Sequence, residues 1–569
     1  MPAFVVSAAS LPCIDQSQVT TTKAPGLGRN ARTMAIGTVA SRVTGFLRTA
    51  MLVAVLGVGG ARQAFEVSNT MPNSLYDLLL GGVLTSTLVP VLVAARAKNQ
   101  DDDYAQRLLT LVIAALTTLT ALAMVAAPWL VRLYSTSTDP PQLDLAVAWA
   151  RFFLPQILFY GITATVSAIL NTRGRFGAPV WAPVLNNVVV MATLALFALA
   201  PGPRAASAAS LSISQLWILG LGTTLGVVAM TGALLPSLRA SGFRWRIRLD
   251  FRGMGLRRLS RLAAWTFVYV VATQLAYLVL TRLATAVDQL PLYATAYIVW
   301  QLPYAVVGFS VITALLPRMS RHAVDGRLDL MRQDLDRGLR LSAVFLIPAA
   351  LGMVVLGQPV AEALFARGQT TYAQADQIGI VLAVLAVGVL PFSIYQLQSR
   401  AFYARGDTKT PALVQVVVST ATVLFDIAAS AVLPASVRIY GLAAGLVVAN
   451  CVGAAVTANL LRRQLGSSRP PGTGRSMIDA LSRMAVAGVA GAAGAAGAVG
   501  AVTPLLPRGS IGAALVVALG SSAYLVIYGA LLLMLGVDEV RPAKYRRPPP
   551  GRHRGGSASE SRPVERVAP

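Results

Sequence analysis

Cysteine and histidine are nearly missing from this chain. Its two cysteines, Cys13 and Cys451, lie far apart, one near the amino terminus and one inside an apolar run, which excludes a disulfide framework and a thiolate metal site. The two histidines, His322 and His553, fall in basic loop and tail sequence, so histidine-dependent catalysis in an apolar interior is excluded as well. No Walker loop, HExxH helix, nucleophile elbow or paired-cysteine motif occurs, and no cofactor or metal is expected. Charge is scarce too: Asp, Glu, Lys and Arg make up 12% of the residues, about half the share of an ordinary soluble domain. Acids are the rarer sign, 23 against 48 bases.

Apolar sequence takes up the remainder. The mean hydropathy is +0.64, and apolar runs recur along the 569 residues, each long enough for the roughly 20 residues that cross a hydrocarbon core. Barrel strands would show short alternating segments instead, so the spans are helices. Fourteen are expected, near 34–57, 69–95, 105–134, 144–171, 179–200, 213–238, 259–287, 291–317, 338–366, 376–404, 411–434, 437–462, 480–503 and 510–535. The formal charge of +25 does not imply nucleic acid, because the basic residues stand between apolar runs rather than along one soluble face.

Those basic residues set an orientation. Loops after even-numbered spans carry Arg96 and Lys98, Arg173 and Arg175, a run from Arg239 to Arg261, Arg318 to Arg332, Arg405 and Lys409, and Arg462 to Arg475; loops after odd-numbered spans carry one arginine or none. The positive-inside rule makes the first set cytoplasmic, which puts both termini on the inner side of the membrane. Residues 1–33 lack the basic start and compact apolar core of a secretory signal. They are expected to be a disordered cytoplasmic leader, or sequence upstream of a start at Met34. The tail over 536–569, with Pro548-Pro549-Pro550 and several arginines, is expected to be disordered and to touch anionic lipid.

An internal repeat organises the spans. Met71-Pro72 is matched by Leu302-Pro303, Pro90 by Pro317, Leu154-Pro155 by Leu390-Pro391, Arg173-Gly174 by Arg405-Gly406 and Pro179 by Pro411, at offsets of 231, 227, 236, 232 and 232 residues. A six-span unit therefore occurs twice in the same orientation. The expected fold is an all-α polytopic membrane protein of about fourteen transmembrane helices. It has two six-helix lobes related by pseudo-two-fold symmetry, 34–238 and 259–462, a basic linker over 239–258, and two further helices in 463–535. Parallel repeats place a substrate site between the lobes near the midplane.

Candidate site residues are the polar groups inside the spans. Arg42 and Arg48 lie in the first, roughly 12 and 21 Å along a helix begun at Met34 and about 120° apart around it. A charge at bilayer depth costs roughly 2.5 to 3.5 kcal/mol, so it faces a partner or a water-filled cavity. Guanidinium holds phosphate bidentately and keeps its charge when dehydrated, which suits a pyrophosphate; the bland alternative is an ion pair with Asp77 or Glu66. Asp77, Asn186, Asn187, Gln301 and Asp426 are candidate cavity-lining or ion-coupling residues, with helix-to-helix hydrogen bonding as the competing role of the amides. Arg151, Arg282 and Arg400 read as snorkelling to the interface. In span 13, Gly488, Gly491, Gly494, Gly497 and Gly500 recur every three residues, a pattern for close helix packing before a lipid groove.

The chain resembles the MurJ (MviN) family of lipid II flippases, in the multidrug/oligosaccharidyl-lipid/polysaccharide exporter superfamily. Ser41-Arg42-Val43-Thr44-Gly45-Phe46-Leu47-Arg48 is similar to the family's first-helix motif and Met71-Pro72-Asn73 to its second. Asn171 to Phe176, Pro179 and Ala182-Pro183-Val184-Leu185-Asn186-Asn187 resemble the fourth loop and fifth helix. Gln301-Leu302-Pro303-Tyr304 and Leu315 to Arg321 resemble the actinobacterial branch. The resemblance implies export of undecaprenyl-pyrophosphate-linked muropeptide (lipid II) by alternating access, with Arg42 and Arg48 on the pyrophosphate and the last two helices offering a groove to the lipid tail. Where relatives carry further basic residues this sequence has Tyr76-Asp77 and Ile298, and where they carry an acid after helix one it has Gln63. Two other readings stay open from the residues alone: a flippase or exporter for another substrate on the same fold, and a membrane scaffold that recruits cell-wall synthesis or division proteins.

Overall fold

The computed structural model describes residues 27–78, 101–202, 211–250, 256–465, 477–507, 509–537 and 539–540. The amino-terminal 26 residues, the second half of the expected span 69–95 with Pro90, and the tail from 541 lie outside the described residues. In chain order the helices are α1 (Leu27–Leu56), α2 (Gly60–Tyr76), α3 (Asp101–Val125), α4 (Ala127–Tyr134), α5 (Pro140–Phe153), α6 (Gln156–Thr172), α7 (Gly177–Leu199), α8 (Ile213–Gly232) and α9 (Leu235–Ala240). The second half begins with α10 (Leu256–Thr285) and α11 (Leu290–Pro303) and continues, after a π-helical turn over Tyr304–Gly308, with α12 (Phe309–Val324), α13 (Leu328–Phe365), α14 (Tyr372–Val387), α15 (Val389–Ala404), α16 (Lys409–Val432) and α17 (Arg438–Leu465). Last come α18 (Met477–Val502) and α19 (Ser510–Met534).

Among the described residues twelve helical segments are long and apolar enough to cross a membrane, and α14 with α15, bent by 44° at Gly388, makes a thirteenth. The expected spans over 105–134, 144–171, 213–238, 291–317 and 376–404 are each broken, mostly beside a proline. Pro128, Pro155, Pro236, Pro303 and Pro391 each lack the amide that would continue the helical ladder. Helix α1 begins at Leu27, so the leader expected over 1–33 gives way to helix seven residues early.

The repeat read from the sequence is also a repeat of packing. Helix α1 lies on α7 as α10 lies on α16, α7 on α8 as α16 on α17, and α2 on α5 as α11 on α14. The landmark glycines agree. Gly174 and Gly406 take φ of 74° and 76°, the left-handed conformation that glycine adopts without penalty. Each closes its helix with the same pair of bonds: Arg175 N–H to Leu170 O and Gly174 N–H to Asn171 O, against Asp407 N–H to Phe402 O and Gly406 N–H to Tyr403 O, the Schellman pattern. Two structurally equivalent lobes follow, α1–α9 and α10–α17.

Helices α18 and α19 pack on each other and on α13. Tyr528 Oη donates to Val344 O at 2.9 Å and Tyr524 Oη to Gly488 O at 3.0 Å. The three-residue glycine period divides in two. A Cβ on Gly488 would meet Ile347 Cγ2 at 2.8 Å and one on Gly491 would meet Tyr524 O at 3.2 Å, whereas nothing lies within 4 Å of Gly497 or Gly500. The stripe winds around the helix, so only its first part faces a partner. Gly488→Leu should destabilise the protein by about 1–3 kcal/mol through overpacking, and Gly500→Leu should leave stability unchanged. Thermal unfolding of both variants in one detergent checks this; equal effects would contradict it.

A cationic cavity closed at one end

The amide bonds of the first-helix motif come from α7. Asn187, 6% exposed, donates to Ser41 O at 3.2 Å and to Thr44 Oγ1 at 3.0 Å. It fixes the helix that carries Arg42 and Arg48 instead of lining the cavity. Its neighbour Asn186 turns to α8, where its Oδ1 would block any Cβ at Gly226.

Arg48 faces a cavity between the lobes. The walls are Arg48, Thr49 and Leu52 of α1, Arg62, Phe65, Glu66 and Asn69 of α2, Val190 of α7, Thr223 of α8, Tyr277 of α10 and Tyr293, Ala294, Tyr297 and Ile298 of α11. Arg42 does not line it: it is exposed, roughly 9 Å nearer the end of α1 from which the chain enters. The two arginines expected to share one enclosure therefore stand in succession along α1, one on the outer part and one at the cavity.

Sequence reasoning placed Arg62 in a loop. The structure buries it completely, in α2, with Nε and Nη2 donating to Glu66 Oε1 at 2.9 and 2.6 Å. Helix α2 starts nine residues before the expected span because Gly60–Asn69 faces protein rather than lipid, and hydropathy does not register a helix of that kind. The signal available in the sequence was the Arg62, Glu66 pair at helical i, i+4 spacing, flanked by Ala61, Ala64 and Phe65.

One end of the inter-lobe boundary is sealed. Gln63 Nε2 donates to Asp288 Oδ1 at 2.6 Å and to Thr285 O at 3.3 Å, and Gln142 Nε2 reaches the same Asp288 oxygen at 3.5 Å. Thr136 Oγ1 donates to Arg282 O at 2.8 Å, and Arg282 Nη1 donates to the carbonyls of Arg132 and Leu133 at 3.0 and 2.8 Å. Arg282, expected to snorkel, is thus a cross-lobe donor. On the other flank Gln369 N–H donates to Ala54 O at 2.9 Å and Thr370 Oγ1 to Val53 O at 3.0 Å. Gly368, with φ of 61°, leaves Ala54 O no room for a Cβ. Rings of Phe46 and Phe365 meet across the lobes at 6.5 Å.

The basic loops lie at the opposite end. There the hydrogen bonds among the described residues stay within a lobe, as in Arg173 with Asp102, Arg175 Nη2 to Ala240 O at 2.6 Å, and Arg318 with Asp334 at 2.9 Å. The second lobe has its own apolar core at that end, around Leu315, Met319, Met331, Leu335 and Phe402.

The remaining candidates are spread out. Asp77, at the end of α2, accepts from Gln274 Nε2 of α10 at 3.2 Å, an inter-lobe contact rather than a counterion for α1. Gln301 stands half-buried on α11, outside the cavity lining. Asp426 is 0% exposed in α16, its oxygens without a partner among the described residues, and it faces Gly445 of α17. Arg400, another expected snorkeller, is 6% exposed, with its guanidinium over the ring of Tyr403 at 5.6 Å, whereas Arg151 is exposed.

Two equivalent helical lobes around a cationic cavity define the class of two-lobed polytopic membrane proteins. Solved structures support that fold: a lipid II flippase MurJ in an inward closed conformation matches with TM-score 0.70 at 18% identity, covering 88% of this chain and 99% of that one. An inward-facing multidrug resistance MATE family transporter matches with TM-score 0.61 at 15% identity, covering 76% and 98%. Within that class the chain belongs to the lipid II flippase MurJ family, whose model matches residues 52–503. Relatives include a probable lipid II flippase MurJ of Haemophilus influenzae, 26% identical over 76% of this chain and 84% of its own, and the lipid II flippase MurJ of Burkholderia cenocepacia, 29% identical over 68% and 75%. The family match begins after Arg48, so the roles of the two α1 arginines rest on their geometry.

Removing one donor from the seal should loosen it. Gln63→Leu deletes both bonds from Gln63, one to a carboxylate, worth about 1–2 kcal/mol. It is expected to raise the labelling rate of an Asn69→Cys reporter from the sealed side by roughly fivefold or more. An unchanged rate would show that the bonds do not hold that end shut.

Proposed function

We propose that this chain carries lipid II, the undecaprenyl-pyrophosphate-linked peptidoglycan precursor, from the inner to the outer leaflet by alternating access, as a transporter and not an enzyme. The observation that carries the reading is Arg48 facing a cavity between the lobes that is sealed at the end away from the basic loops. With those loops cytoplasmic, both termini are inside and the sealed end is outer. A headgroup entering from the cytoplasm then passes the exposed Arg42 before it meets Arg48.

The chemistry matches a diphosphate. Guanidinium groups at cavity depth keep their charge and offer planar forks to phosphate oxygens, and the neighbouring tyrosines give the rest of the headgroup amphipathic walls. Loading shifts the balance between two lobe arrangements only to the extent that substrate binds one better. Asp426, buried and without a partner among the described residues, is the proposed coupling group for a proton or cation. The basic loops and tail are the proposed contacts with anionic lipid.

Outer-leaflet lipid II, measured in cells depleted of their own flippase, tests the reading. The wild-type chain should restore exposure; Arg48→Ala and Arg42→Ala at matched membrane abundance should lose most of it, by roughly tenfold or more for the half-buried Arg48. Asp426→Asn should restore exposure that no longer responds to the ion gradient. Full restoration by both arginine variants would move the phosphate site elsewhere, and no restoration by the wild type would overturn the flippase reading.

A further inference from the structure

The Arg62–Glu66 pair has no evident structural task. Its guanidinium is fully buried, two of its nitrogens converge on a single carboxylate oxygen, and Nη1 has no partner among the described residues. Removing such a pair from water costs as much as the attraction returns, so a buried ion pair is weak evidence of stabilisation. A buried donor left unsatisfied adds a further cost. Both side chains line the same cavity as Arg48, and the side chain of Glu66 keeps 17% exposure whereas that of Arg62 has none. The arginine is anchored; the carboxylate is the member free to move.

We propose that Arg62 is a second diphosphate ligand and that Glu66 is its resident counterion, displaced when the headgroup arrives. This rests on the reading of the chain as a carrier of a diphosphate lipid. A bare guanidinium in a dehydrated cavity is costly, so a carrier that must also return empty needs an anion of its own. Glu66 supplies that anion one helical turn from Arg62, with Asn69 at the next turn to receive a displaced side chain or a phosphate oxygen. Two guanidinium groups then match the two negative charges of a diphosphate diester. A monophosphate reaches only one of them, so the pair also sets selectivity by span: Glu66 yields to a group long enough to bridge Arg48 and Arg62 and competes well against one that cannot. Ile298 on the facing wall adds no charge of its own, which leaves Arg62 as the second cation with Arg48 among the lining residues.

Equilibrium binding of farnesyl diphosphate and farnesyl phosphate to the full chain in lipid nanodiscs separates the possibilities. The wild type should prefer the diphosphate. Glu66→Gln, which removes the competitor, should tighten diphosphate binding by roughly three- to tenfold, and Arg62→Gln should weaken it by roughly tenfold or more and abolish the preference. Arg62→Lys, which keeps the charge without the fork, should bind with reduced preference and serves where the glutamine variant fails to fold. In the Arg62→Gln background, Glu66→Gln should change nothing. If the wild type binds diphosphate but Glu66→Gln leaves that affinity unchanged or weakens it, the pair is a structural strut and this inference falls alone. If the wild type binds neither probe, the diphosphate-carrier reading falls with it.

Discussion

A guanidinium group cannot be abandoned in hydrocarbon, and most of this architecture follows from where two of them are put. Arg48 and Arg62, on adjacent helices of the first lobe, line one cavity at the lobe boundary whose walls come from six helices. Such a site exists only if the lobes meet without filling the space between them, and the lobes meet only because other elements hold them together at a distance from the site. The seal around Gln63, Asp288, Gln142 and Arg282 does that on one flank, and the strap from Gly368 to Thr370 does it on the other.

That division of labour explains why the polar contacts between lobes are modest. Each is a hydrogen bond or two, of the size that a few kcal/mol of differential substrate binding can outweigh. The lobes themselves are held by apolar helix packing, repeated pair by pair in the two halves. Two lobes joined by single polar bonds beside a shared apolar core suit the proposed alternating carrier. Irregular backbone occurs in both lobes, at the breaks near Ala126, Pro155 and Ala233 in the first and at the bent pair α14–α15 and the π-helical turn after Pro303 in the second.

Much of this was legible in the sequence. The apolar runs gave the spans, and five landmarks at a near-constant offset gave the repeat, because proline and the left-handed glycines Gly174 and Gly406 do backbone work that other residues do poorly. Arg42 and Arg48 stood out because charge in an apolar run is rare. Arg62 did not, since its helix is buried by protein and its sequence has no net hydropathy; the same blindness hid Gln63 and Asp288 as a seal, for a hydrogen bond between residues more than two hundred positions apart leaves no local pattern. The glycine stripe was legible as a packing device but not where along α18 it would stop. Asn187 was read as a possible cavity wall and serves as the bolt between α7 and α1, a choice that depends on which way a helix is rotated and so on its neighbours.

The central claim is that transport requires the sealed end to open. A short thiol crosslinker between Gln63→Cys and Asp288→Cys, in a chain whose Cys13 and Cys451 are replaced by serine, tests it in vesicles that report lipid II translocation. The account predicts that transport stops when the bridge forms and returns when a reducible bridge is cleaved. Transport that continues at an undiminished rate with the bridge in place would contradict it.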